Sequence, residues 1–319
     1  MKEKSGIVFM GTPQMAADCL KRLIKDGRPV KAVFTQPDRP VGRKREITPS
    51  PVKRVANENN IPCYTPESLK TKEVEDLFNE LSPKVAIVVA YGKIIPTNLL
   101  SIPESFINLH FSLLPLYRGA APVQRALYDG QTVTGVSIQY LAAKLDAGDI
   151  IAEAPFTINP KDTTETLWER SVAIGASLLT RIAAKLLEGR LPATPQDATK
   201  ATYAAKMSRE DGFIDWTWTA RMIHNHIRAC NPWPGAVTWR KGKEIKLWGS
   251  EWPVPAPGPL GRPGEIITTK KELFVCAIDG FIKITDLQPA GGARQKAEAF
   301  IAGLRGEKVI LDPKPEDAE

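Results

Sequence analysis

The 319-residue chain has few of the residues that cross-link a small fold or hold a metal, with only four cysteines and three histidines. Its cysteines lie far apart, and no two form a CxxC pair, so neither a disulfide framework nor a zinc site is expected. No stretch approaches the roughly 20 consecutive apolar residues that a membrane-spanning helix needs. The N-terminus resembles neither a signal peptide nor a transit peptide. We therefore expect a metal-free protein of the cytoplasm, acting as a monomer.

Positive charge is concentrated in one short region of the sequence. The whole chain carries a formal net charge of +7. Between positions 28 and 54, eight basic residues are opposed only by Asp38 and Glu46. A protein that approaches a polyanion carries its charge in this way. A solvated loop without a partner is the alternative, and the charge alone does not decide between them.

The first half of the chain alternates short apolar runs with helical patterns. The run Val85–Ala90 is apolar throughout, which is typical of a central parallel strand buried on both faces. Strands that alternate with helices predict an open, mostly parallel, Rossmann-like α/β sheet. The first strand is followed by Gly11–Thr–Pro13 rather than by G-x-G-x-x-G, which argues against a dinucleotide site. The other predicted strands are Gly6–Met10, Val30–Thr35, Phe106–Phe111 and Gly135–Leu141.

The pattern changes after a helical stripe that runs from Leu167 to Gly189. Pro192 and Pro195 open a polar stretch that we interpret as a linker. One helical segment and several short strand-like runs follow, which favours a small barrel. We therefore expect an α/β domain at residues 1–190, a linker at 191–205 and a barrel domain at 206–319.

Asn108 and His110 are the first candidates for chemistry. They are two residues apart on a predicted strand, so their side chains leave the same face. At the carboxyl end of a parallel strand this face opens into the crevice where α/β proteins bind ligands. A carboxamide and an imidazole placed there can both donate to one developing oxyanion. A hydrogen-bonded structural histidine is the simpler interpretation of the pair taken alone.

Two further segments favour a site over a structural histidine. Ser112–Leu–Leu–Pro115 and Tyr117–Arg–Gly119 follow His110 directly, in a turn that a core strand has no need of. Leu145–Asp–Ala–Gly–Asp149 follows another predicted strand, so Asp146 lies at a strand end where it can orient the imidazole. Asp149 is an alternative orienting group, and both acids also fit a simple turn.

Taken together, these motifs resemble those of the folate-dependent formyltransferase family. The resemblance implies that Asn108, His110 and Asp146 are catalytic, and that 10-formyltetrahydrofolate donates the formyl group without a metal or a covalent intermediate. It implies that negative charge develops on the formyl oxygen, where the Asn108 amide and the protonated His110 stabilise it. The residues that it assigns to folate binding are Ser112, Leu113, Leu114, Pro115, Tyr91 and Gly92. A turn that needs glycine is the alternative for Tyr91–Gly92.

The charged region and the second domain bear on the acceptor. The stretch from Thr35 to Lys53 is similar to the flexible loop with which the tRNA-formylating members of this family approach their substrate, and the C-terminal segment is similar to their OB-like barrel. The resemblance therefore implies transfer to the methionine of initiator tRNA, for translation initiation. An amino-sugar nucleotide is the alternative acceptor, since such enzymes can share both domains. The residues expected to bind tRNA are Arg39, Arg43, Lys44, Arg45 and Lys206, although an ordinary surface lysine is as good an interpretation of Lys206. Trp233 and Trp239 are interpreted as barrel core rather than as base-stacking residues.

Overall fold

The computed structural model describes residues 3–41, 46–304 and 309–312. They divide into two compact units. Unit 1 comprises residues up to Gly119, Thr134–Phe156 and Glu169–Tyr203, and unit 2 comprises Ala120–Val133, Thr157–Trp168 and the residues from Ala204 onward. Two segments within the first 190 residues, 120–133 and 157–168, therefore pack with the C-terminal residues. Both segments were expected in the α/β domain, because contacts between segments distant in the chain leave no mark on hydrophobic periodicity.

Unit 1 is built on a seven-stranded sheet with short strands beside it. The strands of the sheet are β1 (Ile7–Gly11), β2 (Val30–Phe34), β5 (Cys63–Tyr64), β6 (Val85–Val89), β7 (Ser105–His110), β9 (Val133–Tyr140) and β10 (Ile150–Thr157), and the short strands are β3 (Arg39–Val41), β4 (Glu46–Thr48), β8 (Arg118–Gly119) and β11 (Tyr203–Ala204). The sheet has the order β10-β9-β7-β6-β1-β2-β5. Its five strands β5, β2, β1, β6 and β7 are parallel, and the order reverses direction at β1. β9 pairs with β7 in the antiparallel sense.

The prediction of a mostly parallel α/β sheet is confirmed. β1 and β6 are buried along their whole length, as the apolar runs predict for strands covered on both faces. β10 was not predicted, because its residues alternate between partly buried and exposed positions and contain no long apolar run. The α-helices of the described residues are α1 (Gln14–Lys25), α2 (Pro51–Glu58), α3 (Lys72–Leu81), α4 (Thr97–Leu100), α5 (Pro122–Tyr128), α6 (Thr164–Glu188), α7 (Ala220–Ala229) and α8 (Ala297–Ala302).

Within the basic region, the described residues on either side of positions 42–45 form a pair of strands, called here the β3–β4 hairpin, that is attached to α2. β3 and β4 pair antiparallel, with Arg39 opposite Thr48. Beneath them the hydroxyls of Thr35 and Ser50 lie 2.7 Å apart, and Ser50 also caps α2 by accepting from the Lys53 backbone N–H. The Lys53 ammonium in turn lies 2.7 Å from a carboxylate oxygen of Asp38. Both sides of the hairpin are therefore attached to α2.

The segment predicted as a linker packs on unit 1 over residues 191–203. Ile150 and Thr194 exchange both backbone hydrogen bonds, at 2.8 and 2.9 Å. The Tyr140 hydroxyl donates to the Leu191 carbonyl at 2.8 Å and accepts from the Leu191 N–H. The proline content correctly indicated that no α-helix forms there, but it gave no sign of these attachments.

Unit 2 contains an antiparallel sheet. Its strands are β12 (Ala236–Arg240), β13 (Lys243–Glu251), β14 (Ile266–Thr268), β15 (Leu273–Cys276), β16 (Phe281–Pro289) and β17 (Gln295–Lys296). They have the order β12-β13-β16-β15-β14, with β17 beside β16. The segment 309–312 bridges the two outer strands: Trp239 pairs with Asp312, and Glu265, just before β14, pairs with Ile310. The predicted small barrel is thus present, closed by residues that follow α8.

The two tryptophans interpreted as barrel core behave differently. Trp239 is 4% exposed and packs edge-on against Phe213 at 5.1 Å between ring centroids, as expected. Trp233 is 52% exposed, so its assignment to the core was wrong. Its position explains the difference, because it lies between Pro232 and Pro234 in the turn after α7 and not on a strand.

Candidate active site

Asn108 and His110 lie at the carboxyl end of β7, in the middle of the unit 1 sheet. His110 is 5% exposed and Asn108 is partly buried. On the neighbouring antiparallel strand β9, Gln139 is the register partner of Asn108, and Ser137 is that of His110. Four polar side chains therefore face the same side of two paired strands, as the two-residue spacing predicts.

The His110 ring is held between two oxygen acceptors. Its Nε2 lies 2.9 Å from the Tyr117 carbonyl, and because a carbonyl only accepts, Nε2 must carry a proton. Its Nδ1 faces Oδ2 of Asp146 at 3.6 Å. The Nδ1 separation exceeds hydrogen-bond length, so Nδ1 is not hydrogen-bonded to Asp146.

Asp146 is surrounded by donors. Its Oδ2 accepts from the Gly119 backbone N–H at 2.8 Å, and its Oδ1 accepts from Gln139 Nε2 at 3.1 Å and from Asn108 Nδ2 at 3.4 Å. With His110 these make four groups around a carboxylate that offers about four lone-pair positions. Asp146 also has a backbone φ of 46°, a conformation that costs about 1–3 kcal/mol outside glycine and that concentrates at functional sites. Asp149, the alternative orienting group, has an exposed side chain.

The three residues Tyr117, Arg118 and Gly119 each hold one part of the site. The Tyr117 carbonyl accepts from His110, and its φ of 60° is again left-handed. The Gly119 N–H binds Asp146, at a φ of 120°. The buried Arg118 guanidinium donates through Nε and Nη2 to the Gln196 amide oxygen, at 3.2 and 2.7 Å. The sequence predicted only a turn here, but the structure shows that these three residues contact His110, Asp146 and Gln196.

The Ser112–Pro115 turn is fixed by β9. The Ser137 hydroxyl accepts from the Leu114 N–H at 3.0 Å and lies 2.7 Å from the Ser112 carbonyl. Below the turn, a Cβ on Gly135 would come within 2.4 Å of a Leu113 methyl group, so glycine there leaves room for the Leu113 side chain. The turn is therefore a rigid feature next to His110.

Tyr91 and Gly92 follow β6 at the same edge of the sheet. The Tyr91 ring is 1% exposed within the core, where burial raises the pKa of its hydroxyl to about 12. Its carbonyl accepts from Thr12 Oγ1 and from Gln36 Nε2. Gly92 has a φ of 82°, and a Cβ there would lie 2.4 Å from Gln36 Nε2, so this turn does need glycine. Folate contact by these two residues stays a prediction, with the Gly92 backbone better placed than the buried ring.

The predicted tRNA-binding residues fall into three groups. Arg39 is exposed at the base of the β3–β4 hairpin, where it donates to Gln36 Oε1 at 2.9 Å. Arg43, Lys44 and Arg45 lie outside the described residues. Lys206 is exposed in unit 2.

Sequence reasoning missed Gln139 and Gln196, which both contact the Asp146 loop. Gln139 donates to the Asp146 carboxylate, and Gln196 Nε2 lies within 3.0 Å of the Asp146 and Gly148 carbonyls. Gln139 did leave a signal, because Ser137 and Gln139 alternate along an otherwise apolar strand and therefore share a face. Gln196 left none, because its position depends on how residues 191–203 fold back onto unit 1.

Within the described parts of the chain, no group of three or more His, Cys, Asp or Glu side chains is arranged to hold a metal ion. Over the same residues, no helix is both long and apolar enough to cross a membrane.

Most of the chain matches the sequence models of one family of transferases. Residues 4–182 match the model described as Formyl transferase, and residues 206–305 match Formyl transferase, C-terminal domain. The chain belongs to the formyl transferase family.

Two relatives that resemble the chain over nearly its whole length have the same name. The chain is 43% identical over 307 residues to Methionyl-tRNA formyltransferase of Macrococcus caseolyticus, a match covering 96% of this chain and 97% of the relative. It is 44% identical over 313 residues to the protein of the same name from Geobacillus thermodenitrificans, covering 97% of each. Among solved structures, WlaRD, a sugar 3N-formyl transferase crystallised in the presence of dTDP and 5-N-formyl-THF, superposes with a TM-score of 0.70. That match covers 92% of this chain and all of the other, and at 18% identity it shows a common fold alone.

Proposed function

We propose that this chain transfers the formyl group of 10-formyltetrahydrofolate to the α-amino group of methionine carried by initiator tRNA. The observation that carries the proposal is the 43–44% identity to methionyl-tRNA formyltransferases along nearly the whole length of both chains. The arrangement of Asn108, His110 and Asp146 supports it, because these residues form a site suited to a developing oxyanion.

The reaction forms a bond between the amine nitrogen and the formyl carbon, and it breaks the bond from that carbon to N10 of the folate. One proton moves in balance from the amine to N10. Negative charge develops on the formyl oxygen as the amine attacks. The second N–H of the Asn108 amide and the Nδ1–H of His110 are the donors available to that oxygen. A donor of this kind contributes about 3–4 kcal/mol to an acyl transfer.

Asp146 acts through charge and position in this proposal. Its oxygens accept three hydrogen bonds within the protein, from the Gly119 N–H, Gln139 and Asn108, and these hold the carboxylate in one orientation. Its Oδ2 lies opposite His110 Nδ1, and its bond to Asn108 fixes that amide. The carboxylate thus keeps both oxyanion donors in place before substrate binds.

The folate is expected beside the Ser112–Pro115 turn and the Gly92 backbone. The turn is held to β9 by Ser137, so it offers fixed backbone groups to a flat, hydrogen-bonding ring. Gly92 lacks the Cβ that would displace the Gln36 side chain from the Tyr91 carbonyl. No step of the transfer calls for a metal ion, because two N–H donors supply the electrostatic stabilisation.

The tRNA is expected to meet the β3–β4 hairpin. Arg39 lies in β3, and the sequence between β3 and β4 adds Arg43, Lys44 and Arg45, whose positive charge suits phosphates near the acceptor end. Anchoring of the base to α2 keeps the hairpin in one place relative to the crevice. Lys206 in unit 2 is a further candidate for phosphate contact. We place the reaction in the cytoplasm, in a monomer, at the start of translation.

The acceptor is tested by offering 10-formyltetrahydrofolate with three amines in parallel: charged initiator tRNA, charged elongator methionine tRNA and a 4-amino-sugar nucleotide. Formylation of initiator methionyl-tRNA, with little transfer to the other two, is the expected result. Formylation of the sugar but not of the methionine would overturn the proposal in favour of the amino-sugar alternative.

A further inference from the structure

We infer that Gln196, from the segment joining the two predicted domains, is a positioning residue that holds the catalytic Asp146 through Gln139. The inference rests on the proposed function for its kinetic test, but the contacts that carry it are independent of the acceptor. They form a directed chain of hydrogen bonds, called here the amide chain, which consists of Arg118, Gln196, Gln139 and Asp146.

The hydrogen bonds of the amide chain run in one direction, because the group at one end can only donate and the group at the other end can only accept. Arg118 can only donate, so the oxygen of the Gln196 amide must face it. The Gln196 nitrogen then faces Gln139 Oε1 at 3.1 Å, and the Gln139 nitrogen faces Asp146 Oδ1 at 3.1 Å. A carboxylate only accepts, so the far end agrees with the near end. Neither amide can flip without breaking the amide chain.

The same two amides also fix the backbone of the Asp146 loop. Gln196 Nε2 lies 3.0 Å from the Asp146 carbonyl and 2.7 Å from the Gly148 carbonyl. Gln139 Oε1 accepts from the Gly148 N–H at 3.0 Å. The loop is thus held from its side chain and from its main chain, which counters the cost of the left-handed backbone at Asp146.

The hydrogen bonds of the amide chain are buried, so their loss cannot be compensated by water. Gln139 and Arg118 are 2% and 6% exposed, so water has little access to replace a missing partner. The Gln196 main chain is held in turn by the paired Ile150 and Thr194 two residues away. The joining segment therefore contributes a side chain to the support of the catalytic carboxylate.

Gln196→Glu tests the inference with little change in volume. The new carboxylate still accepts from Arg118, but it cannot donate to Gln139 or to the loop carbonyls. We expect kcat to fall about 10- to 100-fold, the range that a misplaced catalytic group produces. The KM for the folate should change less than about twofold, because the Ser112–Pro115 turn has no bond in the amide chain. Gln196→Met can neither accept from Arg118 nor donate to Gln139 and the loop carbonyls. It should lower kcat over the same range.

A double-mutant cycle distinguishes positioning from general loss of structure. In an Asp146→Asn background the Gln196→Glu change should cost less than about threefold, because the group through which Gln196 acts has already been altered. The neighbouring Asp197→Ala, which removes an exposed turn cap at Thr199, is the matched control and should keep kcat within about twofold. Unchanged kcat in Gln196→Glu and Gln196→Met, or equal losses in both backgrounds, would overturn the inference.

Amide hydrogen exchange provides a readout that needs no substrate. Exchange at residues 142–149 should be faster in Gln196→Glu than in wild type, and unchanged in Asp197→Ala. Equal exchange in all three proteins would overturn the inference even if the proposed reaction is right. An inactive wild type with faster loop exchange in Gln196→Glu would instead contradict the proposed function and leave the positioning role supported.

Discussion

Nδ1 of His110 faces Oδ2 of Asp146 at 3.6 Å, while Nε2 of the same ring donates to the Tyr117 carbonyl. The Tyr117 carbonyl therefore fixes the Nε2 side of the imidazole, and the Asp146 carboxylate faces its Nδ1 side. Because the Nδ1 contact is longer than a hydrogen bond, the ring keeps one donor for a substrate oxygen. This relationship is the basis of the proposed chemistry.

Removal of either oxyanion donor should abolish most of the activity. We expect Asn108→Ala and His110→Ala each to lower the transfer rate by about 100-fold or more, since each loses a donor whose effect is greatest in the transition state. Single-turnover rates and thermal melting measured together check this, with melting expected to stay cooperative. Asp149→Asn is the control, because that acid is exposed in the same loop. Near-normal turnover in either alanine variant would refute the assigned roles.

Gly148 is predicted to tolerate no side chain. A Cβ there would lie 1.7 Å from the Tyr140 carbonyl oxygen, so the backbone must move and carry the Gly148 N–H away from Gln139. Gly148→Ala should lower the melting temperature and reduce kcat by at least about 100-fold, because the shift displaces Asp146. Gly189→Ala, with no atom within 4 Å of the added carbon, should leave both unchanged. Equal behaviour of the two variants would show that the loop is free to adapt.

The basic residues Arg43, Lys44 and Arg45 are predicted to supply salt-dependent affinity for tRNA. Replacing all three by Gln should weaken binding and flatten the dependence of log K on log salt by up to about 0.9 for each phosphate that they no longer neutralise. Replacing the exposed Lys21 and Lys25 on α1 lowers the net charge without changing the β3–β4 segment. That control should leave the slope nearly as in wild type. An unchanged slope in the triple variant would show that these three residues do not contact the tRNA.

Acid should destabilise unit 2 through two buried histidines. Burial lowers the pKa of His226 to about 4, and burial together with the nearby Arg228 charge lowers the pKa of His224 to about 4. Below pH 6.5 both histidines bind a proton in the unfolded chain, whereas in the folded chain they stay neutral until the pH approaches 4. The free energy of unfolding therefore decreases as the pH drops from 6.5 towards 4. Between pH 7 and 5 each histidine should cost on the order of 2 kcal/mol.

Chemical denaturation at the two pH values measures this change in stability. His226→Gln keeps a donor for the Gly212 carbonyl, to which the His226 Nε2 is bonded at 3.0 Å, but it cannot titrate. The variant should therefore lose less stability on acidification than wild type. The same decrease in both proteins would show that His226 takes up its proton without unfolding.

The sequence predicted the parts of this molecule that depend on local pattern. Apolar runs predicted the buried strands β1 and β6, and the spacing of Asn108 and His110 placed both on one face of β7. The position of Asp146 at a predicted strand end indicated that it could orient His110, but only the resemblance favoured it over Asp149 or a simple turn. Gln196 was hidden because the polar stretch around it is indistinguishable from a linker until its pairing with β10 is known. The contact of the Tyr117 carbonyl with His110 could not be predicted either, because every residue has a backbone carbonyl and the sequence does not mark the one that accepts from a side chain.

The central claim is tested most directly by following a labelled formyl carbon from 10-formyltetrahydrofolate in a single turnover with initiator methionyl-tRNA. Wild type should place the label on the methionine amine, and His110→Ala should do so at least about 100-fold more slowly while binding the tRNA equally well. Label that never reaches the methionine, or that reaches it equally fast with and without His110, would contradict the account.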